Sequence, residues 1–100
     1  MSQNMAEKFA RWDSAEYLKT EEDMVGYFNA CVDEAGDDPA FIAKALGTIA
    51  RAKDMTQIAK DTGLSRESLY LALSGEGTPE FATILKVFKA LGLRLHSIAA

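Results

Sequence analysis

From Thr20 onward the apolar positions of the chain recur at helical spacing. Met24, Tyr27, Phe28, Cys31, Val32 and Ala35 stand three or four residues apart and predict one buried helical stripe. Thr20 ahead of Glu21-Glu22-Asp23 is an N-cap followed by acids where the helix dipole favours them, and Gly36 is a stop signal. Asp38-Pro39 then opens a second helix, with proline at the first helical position where its missing N–H costs nothing. Phe41, Ile42, Ala45, Leu46, Ile49 and Ala50 are its apolar face, and Arg51 and Lys53 lie near its C-terminal carbonyls.

The stretch Met55 to Gly75 has the spacing of a helix-turn-helix. Asp54 is placed to cap its first helix, with Gln57 at the third position in the manner of a capping box. Small Ala59 lets the two helices approach, and Gly63 supplies the backbone freedom of the turn. Ser65 caps the second helix, and Leu64 before it meets Leu69 as a hydrophobic staple. Leu69, Ala72 and Leu73 share the inner face, which leaves Ser65, Arg66, Glu67, Ser68, Tyr70, Leu71 and Ser74 pointing outward.

Beyond a turn at Gly75-Glu76-Gly77, Thr78 and Pro79 are expected to cap a last helix. Phe81, Ile84, Leu85, Phe88 and Leu91 form its predicted face, and Gly92 ends it. Residues 93–98 alternate in character and read as a short strand, which needs a partner for its backbone groups. Either Lys8 to Trp12, or the same strand of a second copy, is a possible partner. At the other end, Asp13 or Ser14 suits the cap of a single turn through Leu18, and Phe9 and Trp12 suggest a strap packed on the domain.

The expectation is therefore an all-α domain spanning 1–100: an arm at 1–19, about five helices in a bundle at 20–92 with the helix-turn-helix near 54–75, and a C-terminal strand at 93–98. A 48% hydrophobic content over 100 residues suits one such core. No run approaches the roughly 18 apolar residues of a membrane span, and the single Cys31 fits a buried thiol in a reduced, cytoplasmic protein.

Charge divides the chain. Residues 1–38 hold three basic and ten acidic side chains, whereas residues 39–74 hold five basic and three acidic. The helix-turn-helix is thus mildly basic inside a chain of net charge −4, which suggests two surfaces with different partners. Catalysis has little to work with. One His96 and one Cys31 make no zinc site, the glycines lack the context of a phosphate loop, and no base stands beside Ser65, Ser68 or Ser74. Neither a metal nor a cofactor is expected.

Thr56-Gln57, the Ala59 to Gly63 spacing and the run Gly63-Leu64-Ser65-Arg66-Glu67-Ser68-Leu69-Tyr70 resemble the lambda-repressor-like helix-turn-helix domains. With Ala72-Leu73-Ser74-Gly75-Glu76-Gly77 and Phe81-Ala82-Thr83-Ile84-Leu85-Lys86, the chain is more narrowly similar to the addiction-module antidote family, the HigA-like antitoxins. Ala15-Glu16-Tyr17-Leu18 and Ala45-Leu46-Gly47 extend the likeness over roughly residues 9–98. The resemblance implies a dimer that binds operator DNA, represses its own operon and neutralises a HigB- or RelE-like toxin. A lone phage-type repressor, or an interaction module that no longer binds DNA, is the alternative.

On that reading Ser65, Arg66, Ser68 and Tyr70 lie in or beside the major groove of double-stranded DNA, with Thr56, Gln57 and Lys60 on the phosphates. Glu67 either accepts from a cytosine amine or favours its own helix N-terminus. Leu71 suits a thymine methyl or a protein partner. Glu21, Glu22, Asp23, Asp33 and Glu34 are the candidate surface for a cationic toxin.

Overall fold

The computed structural model describes residues 18–100, and within them the chain forms α1 (Glu21–Ala35), α2 (Pro39–Lys53), α3 (Met55–Thr62), α4 (Arg66–Ala72) and α5 (Phe81–Ala90). Local chemistry sets most of the boundaries. At α1 the Thr20 hydroxyl accepts from the Asp23 amide at 3.0 Å, and the Asp23 carboxylate accepts from the amides of Lys19 and Thr20, a closed capping box. At α2 the Asp38 carboxylate accepts from the amides of Ala40 and Phe41, with Pro39 in the first turn.

α2 is the helix around which the rest is packed. Ala43, Ala45, Leu46, Gly47, Thr48, Ile49 and Ala50 are all buried, so it is covered on more than one side. The Thr48 hydroxyl, enclosed with them, donates to the Lys44 carbonyl at 3.2 Å and so carries no desolvation penalty for want of an acceptor. α1 lies along α2, while α3 touches α2, α4 and α5. The main core joins Leu46 and Ile49 to Ile58, Leu69, Val87 and Leu91, each worth about 1.5–3 kcal/mol as a side chain removed from water. Cys31 is fully buried against Ala45 in a second, smaller cluster. An edge-to-face contact of Phe28 with Phe88, centroids 5.3 Å apart, connects α1 to α5.

Several expectations need correction. Residues 93–98 form no strand. Leu93 donates to the Phe88 carbonyl, which closes α5 around Gly92, and packs on the core, but Leu95 and Ile98 are exposed, so beyond Leu93 neither face of the alternating segment is buried to hold it in a sheet. The partner segment Lys8 to Trp12, the cap at Asp13 or Ser14 and the rest of 1–17 lie outside the described residues. α5 begins at Phe81 with Glu80 before it, and neither Thr78 nor Pro79 caps it. The backbone is still extended at Glu80, with φ −67° and ψ 148°, so the helix starts only at the next residue. The buried face of α5 is Ile84, Val87, Phe88 and Leu91, rotated away from Phe81 and Leu85 because the core lies on that side. On α1, Val32 is likewise exposed.

Candidate nucleic-acid interface

α2 and α3 are separated by one residue. The Asp54 amide donates to the Ala50 carbonyl and closes α2, while its carboxylate accepts from the Thr56 and Gln57 amides and opens α3. The expected capping box is half made, because the Gln57 side-chain amide donates to Asp61 at 2.9 Å instead of turning back to the cap. Met55, Ile58, Ala59 and Thr62 face the core, which turns Thr56, Gln57, Lys60 and Asp61 outward. Lys53 beside the junction reaches the Leu91 carbonyl at the end of α5 and stands 3.8 Å from Glu21.

The turn between α3 and α4 depends on Gly63, whose φ of 77° is left-handed. Its amide donates to the Lys60 carbonyl and the Leu64 amide to the Ala59 carbonyl, the paired bonds of a Schellman ending. The buried Thr62 hydroxyl is satisfied on the Ile58 carbonyl. α4 then starts at Ser65, whose hydroxyl oxygen accepts from the Ser68 amide at 3.0 Å and donates to the Ser68 hydroxyl. Leu69 and Leu73 are buried and Leu64 packs against the same cluster, as a staple requires.

Two glycines bring the far end of α4 onto α2. A Cβ on Gly47 would stand 3.0 Å from the Leu73 carbonyl oxygen, and one on Gly75 would stand 2.9 Å from the Lys44 side chain. Lys44 is thus laid beside the turn that follows α4, and Arg51, which donates to the Thr48 hydroxyl, lies near the same approach. Sequence reasoning did not place Lys44 at the site. Its signal is an exposed cation in an otherwise buried stretch of α2.

Thr56, Gln57, Lys60, Ser65, Arg66, Glu67, Ser68 and Tyr70 are all exposed, with those of α3 and those of α4 on either side of one turn. Their availability differs. Ser65 and Ser68 are engaged with each other and Gln57 with Asp61, whereas no bond to another described residue engages the side chains of Lys60, Arg66 or Tyr70. Leu71 is 62% exposed beside them. The arrangement offers one guanidinium, one ammonium, one phenol and an apolar side chain to an outside surface.

The five acids of the other candidate surface are exposed on α1. Asp23 is committed to its cap, and the amides of Lys19 and Thr20 hold its carboxyl below the usual carboxylate range. Glu21 faces Lys53. Glu22, Asp33 and Glu34 make no ion pair with another described residue. Among the described residues no group of His, Cys, Asp and Glu is gathered as a metal site, and no helix is long and apolar enough to cross a membrane.

A family model described as "Probable addiction module antidote protein" matches residues 8–99. An uncharacterised protein of Haemophilus influenzae is 51% identical over 92 residues, covering 92% of this chain and 93% of that protein. No solved structure matches the chain.

Proposed function

The chain belongs to the family of probable addiction module antidote proteins, and from that premise we propose that it is a DNA-binding antitoxin that represses its own operon. α3 and α4 are its helix-turn-helix, of the lambda-repressor-like kind, and α4 enters the major groove. The observation that carries this reading is the division of labour on α4. Leu69 and Leu73 hold it to the core, while Arg66 and Tyr70 face outward without a bond to another described residue.

Arg66 is the base reader, because a guanidinium can grip O6 and N7 of guanine in bidentate fashion. Lys60 and Thr56 set the phosphates, and Lys44 adds a contact beside the turn after α4. Ser65 and Ser68 contribute by holding the start of α4, Gln57 by its bond to Asp61 along α3, and Glu67 by favouring the N-terminus of α4. A gel-shift titration of the chain against its own promoter tests the site. Arg66→Ala should weaken binding about tenfold or more, in keeping with roughly 1–3 kcal/mol for a bidentate contact, and unchanged affinity would remove Arg66 from it.

The antidote role calls for a toxin, here of the HigB or RelE kind, and the acids of α1 suit its basic surface. Co-expression with the neighbouring reading frame should yield a complex that co-purifies. If the two proteins separate on the first column, the toxin assignment falls.

A further inference from the structure

Among the described residues nothing requires a glycine at position 26. It stands within a helix of 15 residues and is exposed, and a Cβ built on it would meet no atom within 4 Å. Its φ is not positive, unlike those of Gly63, Gly75 and Gly92, and no described backbone crosses over it as Leu73 crosses Gly47. Glycine in a helix interior weakens the helix, because it gives up more backbone freedom than alanine on folding. An exposed helical glycine without an internal cause suits a body from outside that must come close to the backbone.

On the helix surface Gly26 lies among Glu22, Asn29, Ala30 and Asp33, and an apolar stripe runs along one side of it. Val25 and Val32 are 42% and 40% exposed, two turns apart on the same side of α1, with Asn29 between them. Toward the C-terminal segment, Val25, Phe28 and Asn29 face Leu93 and Leu95 across a groove of about 180 Å³. Glu22 lies three residues before Val25 and Asp33 four after Asn29, so a carboxylate stands at each end of the stripe. α1 contains no Lys or Arg to offset them, and the cation of the facing segment, Arg94, stands on the opposite wall. Two copies of α1 do not suit each other here. Laid antiparallel they set Glu22 against Asp33, and laid parallel they set each acid against itself.

We propose that this face of α1 is the docking site for a cationic α-helix of the toxin, crossing at Gly26. Its Lys or Arg side chains meet Glu22 and Asp33, and an apolar side chain enters the groove beside Val25 and Leu95. The proposal rests on the toxin reading above, and it narrows the partner surface to Gly26, the two acids in line with it and the apolar stripe beside them.

Gly26→Gln tests it, since glutamine favours a helix and the space around Gly26 among the described residues is open. The melting temperature of the variant and its affinity for the purified product of the neighbouring reading frame are both measured. The melting temperature should rise by a few degrees, while the dissociation constant rises by about 30-fold or more. Charge reversal at Glu22 and Asp33 should also weaken binding, with an effect that fades as salt is added. Wild-type binding matched by the variant would overturn the docking face and leave the toxin reading standing. Wild type that does not bind would overturn both. A variant that turns a wild-type dimer into monomers would assign the face to a second copy, and a fall in melting temperature would assign it to the first 17 residues of the same chain; either result overturns the proposal.

Discussion

At the scale of single residues, glycines carry the site by two different physical routes. Gly63 is open space with a left-handed φ, so its cost of replacement is one of backbone alone. Gly63→Ala should destabilise the protein by about 1–2 kcal/mol in urea unfolding, with no change in any neighbour's packing. Gly47 is the reverse case, an ordinary helical backbone whose added Cβ would press on the Leu73 carbonyl. Asp23 is a residue whose effect depends on pH. Its carboxyl is held below its ordinary value by backbone N–H donors, so the stability it contributes is complete above about pH 4 and is lost as pH falls through the lowered value. Acid titration followed by circular dichroism should therefore show Asp23→Ala to be less pH-sensitive than wild type below pH 4.

At the scale of elements, the helix starts were legible and the helix faces were less so. Thr20, Asp38, Asp54 and Ser65 act as caps where their positions foretold, because capping is settled by a few adjacent residues. Asp54→Ala should cost about 1 kcal/mol and loosen the junction of α2 with α3, which amide hydrogen exchange at Thr56 and Gln57 would reveal. The face of α5 was misjudged, since its apolar residues fill two neighbouring stripes and the position of α3 decides which is buried. Residues 93–98 alternate as a strand would, yet alternation creates no sheet without a paired neighbour. In the candidate site, the exposure of Arg66 and Tyr70 followed from the spacing of Leu69 and Leu73. The engagement of Gln57 by Asp61 and the placing of Lys44 beside Gly75 did not, as both depend on side-chain positions that no periodicity encodes.

At the scale of the whole molecule, one copy brings few cations to a nucleic acid. Lys60 and Arg66 on the motif, with Lys44 beside it, limit the phosphate contacts, and affinity and its salt dependence both grow with their number. Two copies on a palindrome double that number, so the DNA-binding reading predicts a two-fold dimer on its operator. Sedimentation at micromolar concentration with operator present should show it, and a monomer under those conditions would count against the pairing. The manner in which α4 is anchored has a consequence for inheritance. Its grip on the core comes from Leu69, Leu73, the Ser65 cap and the close approach to Gly47, and none of these involves Arg66, Glu67, Tyr70 or Leu71. On the DNA-binding reading, descendants of this chain can therefore exchange those four side chains and acquire new operators while the fold beneath is left as it was.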